Sequence, residues 1–269
     1  MNLTYRWNSV FYLLKSILDL QPAVINTVAD ESLDVPVDFT TSDWKLMKKV
    51  VRVLEPFEEA TKMLSEHDAS ISQVIPFVTT ILGSLNDETP DDYGVLGMKR
   101  GLKEAMLKDN RFGNVENQEI YTVATLLDSR YKGYFFRNEE TYADTKRAII
   151  EKLVDALSEG GSNQATEARS AVAAPSNAPR FKMLMSAIIA KNQRDSQVSE
   201  VDAIRVAAQT ALEHYLALPL SDPYDKTNPQ DCFDFWRNYS VTTDKGQKAL
   251  CHLARVFLTP PPTSTGMIF

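Results

Sequence analysis

The feature that most constrains the fold is the apolar and aromatic stretch Tyr121–Phe136, which carries a charged turn at residues 128–132. The apolar residues that lead into the turn recur three or four positions apart: Ile120, Val123, Ala124 and Leu127. Because residues with this spacing share one side of a helix, they predict a buried helix face, which Leu126 widens. The stretch therefore predicts a core helix that ends in a polar turn.

The turn itself has a simple physical interpretation. Asp128 and Ser129 suit a helix end, because their side chains can hydrogen-bond nearby backbone groups. Gly133 permits a tight bend, after which the rings at positions 134–136 are expected to dock on the core. An exposed salt bridge from Asp128 to Arg130 or Lys132 would contribute under about 1 kcal/mol.

The rest of the chain predicts an all-α fold with little or no sheet. The 269 residues include only ten glycines, and the alternation typical of strands is rare. The net charge of -7 argues against a wholly basic nucleic-acid binder, although not against a local basic patch. Two cysteines without C-x-x-C spacing and three histidines predict neither a zinc site nor a disulfide framework. We expect no metal, no cofactor and no membrane-spanning segment.

The sequence predicts two helical regions, 1–158 and 181–269, joined by a disordered linker at 159–180. The linker is rich in Gly, Ser, Asn, Ala and Pro and lacks large apolar residues. In the first region we expect one helix over 5–28, broken or kinked at Pro22, and a long helix capped by Thr41 or Ser42. In the second region we expect separate helices at 181–190 and 196–218, then two short ones at 231–239 and 245–258.

A basic face on the long helix is the candidate phosphate-binding surface. Its residues are Lys45, Lys48, Lys49 and Arg52. Lys and Arg side chains can neutralise phosphates, which makes this face the best local candidate for phosphate contact. The alternative is a solvated face that is balanced by neighbouring acids, namely Glu55, Glu58 and Glu59.

The last two helices carry the candidate dimerisation residues: Phe233, Phe235, Trp236, Leu250, Leu253, Ala254, Phe257 and Leu258. Two short helices form little core of their own, so these side chains need a partner surface. That surface is either the chain's own helices or a second copy of the chain.

Three segments resemble the hAT transposases and the zinc finger BED domain-containing proteins related to them. A-T-L-L-D-S-R-Y-K is similar to the hAT pattern A-t-x-L-D-P-R-f-K, with Ser129 in place of Pro, and T-Y-R-W-N-S is similar to T-R-W-N-S. F-W-R-N-Y followed by L-A-R-V-F-L-T-P-P-P-T-S resembles the hAT dimerisation region. The resemblance implies a helical insertion domain and a homodimer, and it places Arg6 and Trp7 near DNA. The alternative for Trp7 is a simple core anchor.

The resemblance also bears on catalysis. The hAT reaction cuts and joins DNA with two metal ions, which two Asp and one Glu on an RNase H-like fold hold. In the pattern that the chain resembles, Ile268 stands in the place of the Glu, and both Asp and the BED finger precede the matched part. We therefore expect a non-catalytic, hAT-derived nuclear protein that dimerises and associates with DNA through upstream regions. The alternatives are part of an active hAT DNA transposase whose gene has been read incompletely, and a generic helical scaffold.

Overall fold

A computed structural model describes residues 7–30, 39–66, 69–162, 180–222, 232–241 and 243–262. Among these residues every regular element is helical and no strand occurs, which confirms the predicted all-α fold. The described residues form two compact units, one up to Tyr121 and one from Thr122 to Pro260.

The first unit contains six α-helices and the start of a seventh. They are α1 Trp7–Asp19, α2 Gln21–Val28, α3 Thr41–Leu64, α4 Val74–Asn86, α5 Leu96–Lys108, α6 Asn110–Gly113 and α7 Glu119–Leu127. Short 3₁₀ turns lie at Ile71–Gln73, Pro90–Asp92 and Val115–Asn117. The core lies where α1 packs on α3 and where α4 packs on α3 and α5, and its most deeply buried side chains include Phe11, Ile75, Leu85, Val95 and Val115.

The start of α3 corrects one prediction. The helix begins at Thr41, but its N-cap is Thr40, whose hydroxyl accepts from the Asp43 N–H while the Asp43 carboxylate accepts from the Thr40 N–H. This reciprocal pair satisfies two backbone donors at the helix start, which neither Thr41 nor Ser42 could do from inside the helix. Pro56 lies within α3 without ending it.

The second unit contains the end of α7 and four further helices. They are α8 Glu139–Ser162, α9 Arg180–Ala217, α10 Cys232–Tyr239 and α11 Lys245–Leu258. Helix α11 packs on α8, α9 and α10, and α8 packs on α9. The predicted bounds of α11 are confirmed, and those of α10 are correct to within one residue.

The region around the predicted linker is organised differently from the prediction. The boundary between units falls after Tyr121, and α8 and α9, which flank the linker, pack together in one unit. Helix α8 extends to Ser162, so the backbone at 159–162 is helical. Residues 163–179 lie outside the described residues. The separate helices at 181–190 and 196–218 are one 38-residue helix, because residues 191–195 contain neither Pro nor Gly to break it.

Candidate functional site

Buried hydrogen bonds and an ion pair hold the Asp128–Lys132 turn of the second unit. The Arg130 guanidinium donates from Nε to Asp128 Oδ1 at 2.9 Å and from Nη2 to Oδ2 at 2.7 Å. The side chains of Arg130 and Asp128 are 9% and 0% exposed, so this is a buried, bidentate ion pair and not a surface one. Burial opposes the charge of Arg130, but the hydrogen bonds and charge of Asp128 outweigh it and raise the pKa of the guanidinium.

Lys132 has a different partner from the one that its sequence position suggests. Its ammonium donates to backbone carbonyls at the end of α9, at 3.0 Å from Tyr215 O and also to Leu218 O. The last carbonyls of a helix lack partners within the helix and carry partial negative charge, so a cation there stabilises the helix end. Burial lowers the pKa of Lys132.

The left-handed residue of the turn precedes Gly133, the glycine expected to permit the bend. Lys132 has a φ of +46°, and the glycine that follows it does not. Gly133 is needed for another reason, since a Cβ at this position would lie 2.5 Å from Cε2 of Tyr142. Tyr134 is 76% exposed, so the expectation that its ring docks on the core is wrong, whereas Phe135 and Phe136 are half-buried. Ile120 is exposed as well, although the rest of its predicted helix face is buried.

Two aromatic side chains bind the end of α7 just before the turn. The Tyr215 hydroxyl donates to Leu126 O at 3.2 Å, and Trp236 Nε1 donates to Leu127 O at 2.8 Å. The two ring centroids are 4.8 Å apart. The turn thus connects α7, α9 and α10, and its polar groups serve the packing of the unit.

The predicted dimerisation residues fall into two sets. Trp236, Leu250, Ala254 and Leu258 are no more than 1% exposed, so the chain's own helices already cover them. The half-buried set consists of Phe233, Phe235, Leu253 and Phe257. Only this second set is accessible for contact with a second copy, and its role in dimerisation stays a prediction.

The accessible apolar groups of α11 lie on two flanks of the helix. On one flank, Leu253 and Phe257 are half-buried and Val256 is 54% exposed; we call these three residues the apolar edge. On the other flank a groove of about 200 Å³ lies between α10 and α11. The groove is lined by Phe233, Trp236, Arg237, Arg255 and Leu258.

The predicted basic face of α3 is partly occupied within the first unit. Lys49 donates to Tyr93 O at 2.9 Å, and Arg52 forms a salt bridge of 3.1 Å with Asp91. Lys45 and Lys48 are exposed. Their use in DNA binding stays a prediction.

Of the three acids expected to balance the basic face, one is not placed to do so. Glu58 is buried and accepts from Lys62 at 2.6 Å and from the Tyr12 hydroxyl, so it does not face the basic residues. Glu55 and Glu59 are exposed on α3.

A second basic surface, which the sequence prediction did not include, lies on α11. Its members are Lys245, Lys248, His252 and Arg255, all exposed; we call them the α11 basic stripe. The signal was present in the sequence as a spacing of three, four and three residues in a helix without Asp or Glu.

The remaining predicted site residues are not placed. Arg6 lies outside the described residues, and of Trp7 only the backbone, at the start of α1, is described.

His214 Nδ1 lies 2.9 Å from the Tyr239 hydroxyl. Across the described ranges no group of three or more His, Cys, Asp or Glu side chains could hold a metal ion. Nor does any helix there have the length and apolar character that crossing a membrane requires.

Comparison with known proteins identifies relatives. Human zinc finger BED domain-containing protein 4 is 26% identical over 216 residues, which are 78% of this chain and 18% of that protein. Human zinc finger BED domain-containing protein 6 is 32% identical over 138 residues, which are 48% of this chain and 13% of that protein. The mouse protein 6 is 31% identical over the same shares.

The chain therefore spans less than a fifth of the length of these relatives. No protein-family profile matches it. The homology confirms the resemblance that the sequence motifs indicated: the chain is related to the zinc finger BED domain-containing proteins, which derive from hAT transposases.

Proposed function

We propose that this relative of the zinc finger BED domain-containing proteins is a non-catalytic nuclear protein that works by forming a homodimer and by associating with DNA. Homology over 78% of the chain supports descent from an hAT transposase. The single observation that carries the homodimer is the apolar edge of α11, where Val256 is 54% exposed beside Leu253 and Phe257.

The apolar edge has the chemistry of a contact between two copies. A Phe, a Leu and a Val on adjacent turns of one helix give a continuous apolar strip, and a two-fold axis would bring the same strip from each copy together. The Lys152 ammonium lies 5.7 Å from the centre of the Phe257 ring, so a cation borders the strip. An apolar centre with a charged border is the usual composition of a protein interface.

The absence of catalysis is proposed from the position that Ile268 occupies. The hAT pattern requires a carboxylate there, and an apolar side chain cannot bind a divalent cation. We expect the purified chain to leave duplex DNA intact in Mg²⁺ or Mn²⁺. Metal-dependent nicking that is lost when an acidic residue of this chain is replaced would overturn this part of the proposal.

Sedimentation velocity at micromolar concentration tests the homodimer. We expect the wild type to sediment as a dimer and Val256→Glu to sediment as a monomer, because the variant would bury a charge without a partner in the interface. The matched control is Val241→Glu, which introduces the same charge at a residue that is 89% exposed and lies outside the apolar edge. This control is expected to remain a dimer.

Leu250→Ala separates the core from the interface. Leu250 is fully buried within the chain, so its truncation should lower the free energy of unfolding by about 2–5 kcal/mol and leave the dimer intact. A monomeric wild type would overturn the homodimer, and a dimeric Val256→Glu variant would exclude the apolar edge as its interface.

A further inference from the structure

We infer that the α11 basic stripe is a DNA-binding surface, on which Lys245, Lys248 and Arg255 contact phosphates of a duplex. The inference rests on the proposed association with DNA and assigns it to residues to which neither the motifs nor the homology gives a role in DNA binding. It also moves the expected contact from α3 to the opposite end of the chain.

The geometry of the stripe suits a phosphate backbone. At about 100° per residue, its four members lie within an arc of about 80° on α11. Ten residues separate Lys245 from Arg255, a rise of about 15 Å, which matches about four phosphates of one DNA strand measured along the duplex axis. All four side chains are exposed, so no rearrangement is needed to present them.

The cations of the stripe are not taken up by ion pairs within the described residues. Helix α11 contains no Asp or Glu, and among the described residues no carboxylate forms a salt bridge with any member of the stripe. Of the nearest acids along the chain, Asp234 pairs with Arg237, and Asp244, the N-cap of α11, keeps its negative charge while its carboxylate accepts from the Gln247 N–H. In a protein with a net charge of -7, this is a local concentration of positive charge.

The basic face of α3 differs from the α11 basic stripe in the groups that surround its cations. There, Arg52 is paired with Asp91, Lys49 is bound to a carbonyl, and Glu55 and Glu59 are exposed further along the same helix. An anionic backbone that lay along α3 would meet these carboxylates, whereas one that lay along the stripe would meet no Asp or Glu within α11.

A bilayer surface is a poorer fit than DNA. A helix that binds in a membrane interface inserts an apolar face opposite its basic one. The face of α11 opposite the stripe is already buried in the protein, through Leu250, Ala254 and Leu258. The stripe therefore offers charge without an insertable apolar face, which is the character of a backbone-binding surface.

The test compares two variants with the same change of charge. One is Lys245→Gln/Lys248→Gln/Arg255→Gln on α11, and the matched control is Lys45→Gln/Lys48→Gln/Lys49→Gln on α3. Each is titrated onto a fluorescein-labelled duplex of mixed sequence over a range of KCl concentrations, after circular dichroism has shown unchanged helix content. The slope of log affinity against log salt should fall by about 0.9 per lost phosphate contact, or about 3 in the α11 variant, and stay unchanged in the control.

The outcomes separate this inference from the proposed function. Wild-type affinity and slope in the α11 variant would overturn the inference and leave DNA association standing, and loss of binding in the α3 variant alone would return the contact to α3. A wild type that does not bind DNA would overturn both, while sedimentation of the same samples would still judge the homodimer. Binding to phosphatidylserine vesicles or polyglutamate, but not to DNA, that is lost in the α11 variant would overturn the inference in favour of a membrane or an acidic protein.

Discussion

The Asp128–Arg130 pair of the second unit and the Arg52–Asp91 pair of the first unit join the same two residue types at similar lengths, 2.7 Å and 3.1 Å. Their exposure is very different. The side chains of Asp128 and Arg130 are 0% and 9% exposed, and those of Arg52 and Asp91 are 59% and 71% exposed.

This difference determines what each pair contributes. Water screens the Arg52–Asp91 attraction, and holding two long side chains together costs entropy, so such a pair contributes little. Burial of Asp128 and Arg130 removes their hydration, and the pair is tolerated because two side-chain hydrogen bonds and the Arg130 N–H at 3.0 Å replace it. Removing one partner therefore leaves the other charge buried without its counter-ion.

Arg130→Ala tests this difference most directly and should have the largest effect. We expect a loss of about 3–5 kcal/mol in the free energy of unfolding, measured by urea titration with circular dichroism. The matched variant Arg52→Ala should cost less than about 1 kcal/mol. Equal losses in the two variants would show that burial is not what distinguishes the pairs.

The sequence predicted those parts of the fold that depend on local signals. The bounds of α11 are predictable from local signals, because Asp244 can cap its first turn and the prolines from Pro260 onward end the helical pattern. The single helix α9 was predicted as two, because the polar residues 191–195 look like a connection although none of them breaks a helix.

The tertiary role of the Asp128–Lys132 turn was not predictable in the same way. Lys132 binds backbone carbonyls more than eighty residues away, and a backbone carbonyl has no signature in the sequence. The burial of Asp128 and Arg130 depends likewise on α9 and α10, which the local pattern does not reveal. The α11 basic stripe, by contrast, depends only on spacing and was visible in the sequence.

Two glycines sharpen the comparison between the units. A Cβ at Gly133 would lie 2.5 Å from the Tyr142 ring, whereas a Cβ at Gly101, inside α5, would meet nothing within 4 Å. Gly133→Ala should therefore destabilise the protein by about 1–3 kcal/mol through overpacking. Gly101→Ala should stabilise it by about 0.5–1 kcal/mol, because alanine favours the helix.

Thermal unfolding of both glycine variants provides the measurement. A Gly133→Ala variant as stable as the wild type would mean that the Tyr142 ring moves aside at little cost. Gly133→Ala/Tyr142→Leu then identifies the cause, because removing the ring should recover most of the loss if the clash with Tyr142 produces it.

The Asp92–Lys99 pair tests whether the different contributions of ion pairs to stability depend on burial or on the unit to which a pair belongs. Asp92 is in the first unit, yet its side chain is 9% exposed and pairs with Lys99 at 3.1 Å. The Thr89 N–H, followed by the Lys99 ammonium, lowers the pKa of Asp92 from 3.8 to about 2. The unfolded chain therefore binds this proton at a higher pH than the folded chain does, and the stabilisation present above 3.8 is lost as the pH falls toward about 2.

Comparison of the wild type with Asp92→Asn at neutral pH and at about pH 2, by urea unfolding, isolates this contribution. We expect the wild type to be the more stable at neutral pH and the gap to close in acid, because protonated Asp92 and asparagine are both neutral. Asp91→Asn is the control, since its carboxylate is 71% exposed and should give little difference at either pH. A gap for Asp92→Asn as small as that of the control at neutral pH would show that the first unit gains nothing from its buried pair, and the contrast would then follow the unit and not the burial.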